Sequence, residues 1–226
     1  MENEIGFITS LIGDQVRTNI LWTLLDGRAY TATELAINAD TSPQNISMHL
    51  SKLIQADLLT VESQGRHKYY RISRQEVAYA IEAIGNLLPN EKHKKIISST
   101  DNAAIKYCRT CYDHMAGKVG VILTEGLIEQ KIIERNTTGY SVTEKGYSFF
   151  SELEININEL KKYRRAFAKP CLDWSERKHH LAGSLGAALL DKMLLLDYFR
   201  RVKNSRALVI TSKGQQQLYN RFKVSV

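Results

Sequence analysis

Apolar residues recur at helical spacing through the N-terminal part of the chain. Residues 14–26, DQVRTNILWTLLD, place them on one face, after a capping residue, Asp14, and before Gly27, so this stretch predicts a helix. A second, shorter helix is predicted to be capped by Thr33 and to run through Ala36. The two segments predict the beginning of a small helical domain.

A third helix is predicted to begin after the turn signal at residues 40–43. Ser42 can accept a hydrogen bond as the N-cap, and Pro43 suits the first helical position, where a missing N–H costs nothing. Residues spaced i, i+4, i+7 and i+8 form its apolar face: Ile46, Leu50, Leu53 and Ile54. The opposite face lacks carboxylates and consists of Gln44, Asn45, Met48, Ser51, Lys52 and Gln55, with Ser47 and His49 on its flanks.

Two β-prone runs follow this helix, at residues 58–62 and 67–72, and flank a turn centred on Gly65. They predict a hairpin that carries basic side chains at or near its tip: Arg66, His67 and Lys68. The hairpin alone would be an ordinary two-stranded loop. The order helix, short helix, turn, helix and hairpin is that of a winged helix-turn-helix, and it predicts that the third helix reads DNA.

A further helix is predicted over residues 74–88, with an apolar stripe that can pack on its own domain or on a second copy of the chain. A homodimer would place two reading helices about 34–36 Å apart, as a palindromic site requires. Residues 89–100, PNEKHKKIISST, predict a polar linker. We therefore expect a DNA-binding and dimerisation domain over residues 1–88.

The remaining residues, 101–226, contain an internal repeat. HMAGKVG at 114–120 matches HLAGSLG at 180–186, and each follows a Cys-x-Asp sequence. Each copy ends with a similar pentapeptide, VTEKG at 142–146 and ITSKG at 210–214. These landmarks predict a duplication, with copies at about 103–150 and 165–222. The whole chain is expected to be mainly α with small β-hairpins (α+β), and the duplicated domain to be winged-helix-like, sensing an effector or contacting DNA as an accessory module.

Composition narrows the class of protein. The 226 residues carry a net charge of +7, but the excess is uneven: residues 41–75 hold five basic and two acidic side chains, whereas residues 1–40 hold two and six. The predicted reading helix and hairpin therefore form a locally positive segment suited to a polyanion. The apolar runs are too short to span a bilayer, and three cysteines are too few for a disulfide framework. We expect a cytoplasmic protein with no membrane partner.

Residues 14–88 resemble the arsenical-repressor (ArsR/SmtB) family of bacterial winged-helix regulators. The resemblance lies in Glu34-Leu35-Ala36, Ser42-x-x-Asn45-Ile46-Ser47-x-His49-Leu50, Leu53, Leu58-Leu59 and Gly65-Arg66-x-x-Tyr69-Tyr70. It implies a homodimer that binds double-stranded operator DNA and represses until a signal releases it. By position, it implies that Ser42, Gln44, Asn45, Ser47, Met48 and His49 face the major groove, with Arg66 and Lys68 along the phosphates.

The chain departs from this family at its customary metal positions. The segment before the reading helix, ELAINAD, has no cysteine, and the helix over residues 74–88 offers only Glu76 and Glu82. Both customary sites are therefore doubtful in this chain. The second half instead resembles extended members that carry a Cys-x-Asp-His-x-Ala-Gly element.

That half contains thiols and imidazoles that can be combined into a soft-metal site. Cys108, Cys111 and His114 have the spacing C-x-x-C-x-x-H, which on a helix would bring the side chains to one face. The full candidate set for a soft transition metal is Cys108, Cys111, His114, Cys171, Asp173, His179 and His180. Two alternatives stay open, a thiol redox switch and a structural role in which the cysteines pack and the repeated segments cap.

The sequence thus predicts a homodimeric winged-helix transcriptional regulator, a repressor released by a metal, redox or small-molecule signal. A thiol-dependent enzyme is one rival, although no strand-turn-helix nucleophile motif or oxyanion-type glycine turn is present. A winged helix used only for protein interaction is the other. The effector, the operator sequence and the regulated genes are not specified by the sequence.

Overall fold

The computed structural model describes residues 2–87, 103–203 and 205–226. The chain divides into two compact units, the first ending at Ile84 and the second beginning at Gly85. Leu88 and the predicted linker at residues 89–100 lie outside the described residues.

The first unit is a helical bundle flanked by a small antiparallel sheet in the strand order β1-β3-β2. Tyr30 of β1 pairs with Tyr70 of β3, and Leu59 of β2 pairs with Ile72. Its elements are α1 (Glu2–Ile12), α2 (Gln15–Thr23), a 3-10 turn (Leu24–Asp26), β1 (Tyr30–Thr31), α3 (Ala32–Asn38), α4 (Pro43–Gln55), β2 (Leu59–Gln64), β3 (His67–Ile72) and α5 (Gln75–Gly85).

Side-chain caps fix where the helices of the first unit begin. Asp14 accepts a hydrogen bond from the Arg17 N–H at 2.9 Å, and Ser42 caps α4 with Pro43 in its first turn, both as predicted. The predicted cap at Thr33 is wrong. Thr31 caps α3 instead, because Glu34 lies three residues later and completes a capping box with it.

The core of the first unit joins its helices to the base of the hairpin. Ile20, Leu35, Leu50 and Leu53 are fully buried, and Leu59 of β2 packs with them. This burial follows the predicted apolar spacing of α2 and α4. Helix α1, which the sequence analysis did not predict, adds Leu11 to the same core.

The second unit is built of short hairpins alternating with helices. It contains α6 (Ala103–Tyr107), β4 (Arg109–Cys111), β5 (His114–Ala116), α7 (Gly117–Glu129), β6 (Ile133–Asn136), β7 (Gly139–Val142), α8 (Glu144–Glu152), α9 (Ile157–Leu160), β8 (Lys169–Leu172), β9 (His179–Ala182), α10 (Gly183–Leu195), β10 (Phe199–Arg201), β11 (Leu208–Ile210) and α11 (Ser212–Phe222).

The two sequence copies repeat one structural order: hairpin, helix, hairpin, helix. Thr143 caps α8 and Thr211 caps α11, so both repeated pentapeptides are turns that lead from a strand into a helix. The helical arrangement considered for Cys111 and His114 does not occur, because both residues lie on strands. These residues face each other across the β4–β5 hairpin, because a two-residue turn at Tyr112 and Asp113 reverses the chain between them.

The repeated glycines explain how the copies pack. Gly117 and Gly183 open the long helices with φ of +79° and +86°, a conformation that a side chain would strain. A Cβ on Gly120 would lie 3.7 Å from the Cβ of His180, and a Cβ on Gly186 would lie 3.3 Å from the Cβ of His114. Each copy therefore seats the histidine of the other against its own helix.

These elements confirm the predicted α+β class. Among the residues that the structure describes, no helix has both the length and the apolar character to cross a membrane.

Candidate functional site

Helix α4 presents the polar face that its sequence predicts. Gln44, Asn45, Ser47, Met48 and Lys52 are all exposed, while Ile46, Leu50 and Leu53 on the other face are buried. The hydroxyl of Ser42 accepts a hydrogen bond from the Asn45 N–H at 3.3 Å, so it fixes the start of the helix. The exposed part of α4 thus offers amides, a hydroxyl and an ammonium group to the surroundings.

His49 does not belong to this exposed face, and the expectation that it faces a groove is wrong in that respect. Its side chain is only 8% exposed, and its Nδ1 lies 3.4 Å from Oδ1 of Asp14. The contact runs from α4 to the cap of α2. A helical projection places His49 on the flank, but packing between the two helices turns that flank inward.

The hairpin after α4 carries its basic residues at the tip. Gly65 adopts a φ of +59° in the turn, and Arg66, His67 and Lys68 are exposed. Nε of Arg66 donates a hydrogen bond to Nε2 of His67 at 3.2 Å. The hairpin is thus a wing with positive charge at its end.

The second unit brings together two thiols and two imidazoles. Cys111 pairs in register with His114 on the first hairpin, and Cys171 pairs with His180 on the third. The ligand atoms of these four residues all lie within 4.8 Å of one another. We call this set the Cys/His cluster. It takes one Cys and one His from each copy of the repeat.

Carboxylates lie behind both imidazoles of the Cys/His cluster. His114 Nδ1 is 3.2 Å from Oδ1 of Asp113, and His180 Nδ1 is 3.2 Å from Oδ2 of Asp173. The second contact is not aligned as a good hydrogen bond. The two Nε2 atoms lie 3.2 Å apart at the centre of the cluster. Burial alone would lower the pKa of both imidazoles, but the adjacent carboxylates and Cys111 raise it overall.

Each of these carboxylates is held by a guanidinium group. Arg109 and Asp173 form a fully buried ion pair at 3.0 Å, and Arg109 also stacks on the Trp174 ring, 4.6 Å from its centroid. Burial would raise the pKa of Asp173, but Arg109 and His180 outweigh it and lower that pKa. Asp113 is paired with Arg165. Burial would raise the pKa of Asp113 as well, but hydrogen bonds from His114 and Arg165 outweigh it and lower that pKa to about 2.

Three of the predicted metal ligands are not in the Cys/His cluster. Cys108 is fully buried in the apolar core of the second unit, where burial raises the pKa of its thiol to about 12. His179 is exposed, next to the buried His180. Asp173 supports His180 from behind instead of sharing its centre. The sequence analysis missed Arg109 and Arg165, whose positions outside the repeated motif gave no signal of a role.

Basic residues of the second unit are partly neutralised by neighbouring acids. Arg165 pairs with Asp113, Lys162 with Glu159 and Arg200 with Asp197. These pairs favour a solvated, internally paired surface for this part of the unit.

Comparisons with known proteins place the chain among transcriptional regulators. A helix-turn-helix domain model matches residues 12–62, which run from the end of α1 into the wing. The uncharacterized HTH-type transcriptional regulator YdfF of Bacillus subtilis (strain 168) is 44% identical over 215 residues, covering 95% of this chain and 95% of that protein. This chain belongs to the HTH-type transcriptional regulators. Its relatives in that family are regulators and not enzymes, so the thiol-enzyme rival is set aside.

Two solved structures each match part of this HTH-type regulator. HlyU from Vibrio cholerae N16961 is 24% identical, with a TM-score of 0.36, over 38% of this chain and 92% of that one. The transcriptional repressor BigR from Xylella fastidiosa is 18% identical, with a TM-score of 0.36, over 39% of this chain and 89% of that one.

Proposed function

We propose that this regulator is a sequence-specific repressor of the ArsR type, with α4 as its reading helix in the major groove of operator DNA. The single observation that carries the proposal is the exposed face of α4. Gln44, Asn45 and Lys52 lie on it, and the helix from Pro43 to Gln55 contains no carboxylate. Phosphates would repel carboxylates, whereas base edges present donors and acceptors that amides and ammonium groups match.

In this proposal, the helix and the wing have different roles in DNA binding. Asn45 and Gln44 are suited to adenine and Lys52 to guanine, so the helix supplies sequence preference. Arg66 and Lys68 at the exposed wing tip supply affinity for phosphates, which is blind to sequence and falls with salt. Met48 on α4 is half exposed, and its side chain is suited to contact with a thymine methyl group.

A homodimer is the second part of the proposal. Helices α1 and α5 of the first unit expose large apolar side chains, with Ile5 60% exposed, Phe7 55% and Ile84 44%. A second copy of the chain is the occupant that a palindromic operator calls for. Sedimentation of Phe7→Asp should show monomers where the wild type forms dimers. Ile37→Asp, at an even more exposed apolar residue of α3 (76%), is the control and should leave the dimer intact.

Release by a signal, in the cytoplasm, is the third part. The second unit adds residues 85–226 to the DNA-binding unit. Its thiols and imidazoles are groups that can bind a metal ion, and the thiols can also react with an oxidant. A titration of operator affinity against metals, oxidants and small ligands identifies the effector class. Expression of a reporter gene placed downstream of the operator should rise when the gene for this protein is deleted, as repression requires.

The test of DNA reading compares Asn45→Ala with Arg66→Ala on an operator selected from random DNA. Asn45→Ala should reduce discrimination between operator and random DNA by about 5- to 150-fold, the equivalent of one bidentate contact of about 1–3 kcal/mol. Arg66→Ala should weaken binding to both DNAs equally and reduce the salt slope by about 1. Gln55→Ala, in the last turn of α4, is the matched control for Asn45.

Two outcomes would reject this assignment. Equal effects of Asn45→Ala and Arg66→Ala on random DNA would remove the division between helix and wing. An absence of salt-dependent DNA affinity in the wild type would leave protein interaction as the role of the winged helix.

A further inference from the structure

We propose that Cys111, His114, Cys171 and His180 bind one zinc-class divalent ion in a tetrahedral site that joins the two copies of the repeat. The proposal concerns the second unit alone and does not depend on operator binding. It would hold even if the winged helix proved to bind protein instead of DNA.

The donor set and its spacing fit such an ion. Two thiolates and two imidazoles form one of the common structural zinc sites. Bond lengths of about 2.0–2.1 Å to nitrogen and 2.3 Å to sulfur place the corners of a tetrahedron about 3.3 Å apart for nitrogen and about 3.8 Å apart for sulfur. The two Nε2 atoms are 3.2 Å apart, and all four ligand atoms lie within 4.8 Å of one another.

Each imidazole of the Cys/His cluster has a carboxylate beside its Nδ1 atom, while the two Nε2 atoms face each other. Asp113 and Asp173, each paired with an arginine, face the Nδ1 atoms of His114 and His180. In a neutral imidazole, a carboxylate next to Nδ1 favours the proton on that nitrogen, which leaves Nε2 as an acceptor. Two acceptors 3.2 Å apart repel each other unless a cation lies between them. A carboxylate behind a metal-binding histidine is also the usual supporting arrangement.

The charges in and around the cluster also balance when the ion is bound. Zn²⁺ with two thiolates and two neutral imidazoles is neutral, which suits a site whose His114 and His180 side chains are buried. The carboxylates behind the site are already offset by Arg109 and Arg165. Binding therefore displaces two thiol protons and adds no uncompensated charge to the interior.

Neither copy of the repeat can complete the site alone. Each supplies a Cys–His pair in register on one hairpin, and each has a glycine where the histidine of the other copy approaches. All four ligands come from the protein, which is typical of closed, structural sites and not of catalytic ones that keep an open position. The ion would thus act as a cross-link between two duplicated halves.

Cobalt titration of the full-length reduced protein tests the proposal. After removal of bound metal by chelation under reducing conditions, Co²⁺ should bind at one ion per chain. It should produce the intense visible absorption of tetrahedral cobalt and a thiolate-to-cobalt charge-transfer band. Zn²⁺ should displace it, since tetrahedral thiolate sites favour zinc, and should release about two protons per ion when added to the metal-free protein. Zinc should also raise the melting temperature.

Adjacent residues in the chain provide matched controls. His180→Gln should weaken cobalt binding strongly, whereas His179→Gln should leave it unchanged. Cys111→Ser combined with Cys171→Ser should abolish the charge-transfer band, while Cys108→Ala should retain it. Asp113→Asn, which weakens the support behind His114 and removes the charge partner of Arg165, should weaken binding about 10- to 100-fold.

Several results would overturn the proposal, and the wild-type titration decides it even if a variant fails to fold. If the folded, reduced wild type binds no Co²⁺, the proposal is wrong. The short distance between the two histidines would then be explained by a proton shared between them. A Cys111–Cys171 disulfide in the oxidised protein, without metal binding in the reduced one, would indicate a redox pair. Binding retained in the double cysteine variant, or equal losses in His179→Gln and His180→Gln, would place the ion elsewhere.

Discussion

The two units of this regulator use polar side chains in opposite ways. In the first unit, the polar residues singled out by the sequence lie on the exposed face of α4 and at the wing tip, above an apolar core. In the second unit, the polar residues in and behind the Cys/His cluster are buried: Arg109, Asp173, His114 and His180. The first unit also buries a few polar residues, such as Arg17 and Asp26, but the ones that the sequence singled out on α4 and the wing are mostly available to a partner.

This difference predicts how each unit responds to substitution. An exposed polar side chain contributes little to stability, so its loss should change binding and leave folding intact. A buried charged or hydrogen-bonded group leaves an unsatisfied partner when it is removed, so its loss should change folding first. Substitutions can therefore test whether the contrast between the units is real.

The largest effect is expected from Arg109→Leu. Both members of the Arg109–Asp173 pair are 0% exposed, so the substitution leaves a buried carboxylate without its guanidinium partner. We expect the free energy of unfolding of the second unit to fall by about 3–5 kcal/mol. Urea unfolding followed by tryptophan fluorescence measures it, since Trp174 lies against Arg109.

Arg135→Leu is the control for that substitution. Arg135 pairs with Glu125 at 2.8 Å in the same unit, but the two side chains are 61% and 36% exposed. Its loss should cost at most about 1 kcal/mol. Similar losses for Arg109→Leu and Arg135→Leu would contradict the view that the second unit depends on buried charge.

A smaller effect is expected from Gly186→Ala, which sharpens the comparison at the level of packing. A Cβ at Gly186 would lie 2.5 Å from the Leu181 carbonyl oxygen and 3.3 Å from the Cβ of His114. We expect a loss of about 1–3 kcal/mol in unfolding free energy, by overpacking against Leu181 of the same copy and His114 of the other. Thermal unfolding monitored by circular dichroism measures this loss as a lower melting temperature.

Gly6→Ala in the first unit is the matched change. A Cβ there meets nothing within 4 Å, and Gly6 lies inside α1. Since alanine favours helix more than glycine does, this variant should be unchanged or more stable by up to about 1 kcal/mol. If both glycine variants were equally harmless, the close approach of the two copies would not matter for stability.

Much of the first unit could be predicted because its signals are local. The spacing of Ile46, Leu50 and Leu53, together with Ser42 and Pro43, was sufficient to place α4 and its buried face. Thr31 as the cap of α3 was also readable, since Glu34 follows it at capping-box spacing. His49 was not, because its burial arises from a contact with Asp14 on another helix.

The second unit was less predictable because its decisive contacts join distant residues. The two sequence copies share one order of elements in the structure, but Cys111 and His114 of the C-x-x-C-x-x-H spacing, which would share a face on a helix, lie on strands. Strands as short as β4 and β5, three residues each, leave no periodic signal. Cys111 lies near Cys171, whereas Cys108 lies in the apolar core. These positions depend on how the two copies pack, so residue spacing in the sequence does not predict them.

The smallest effect concerns Asp14, a carboxylate that connects α2 to α4 in the first unit through His49. Asp14 caps α2, and its hydrogen bond from the Arg17 N–H lowers the pKa of its carboxyl below the usual 3.8. Its charged form therefore stabilises the fold at neutral pH, and this contribution is lost as the pH falls below 3.8 toward the lowered pKa. Asp14→Ala should reduce the unfolding free energy at pH 7 by about 1 kcal/mol, the typical loss of an N-cap. In urea unfolding from pH 7 down to about pH 3, the gap between wild type and Asp14→Ala should narrow, whereas the penalty of Ser42→Ala, an uncharged cap, should stay constant. A penalty for Asp14→Ala that did not change with pH would show that this half-buried carboxylate acts only as a hydrogen-bond acceptor, and that its charge adds no stability to the first unit.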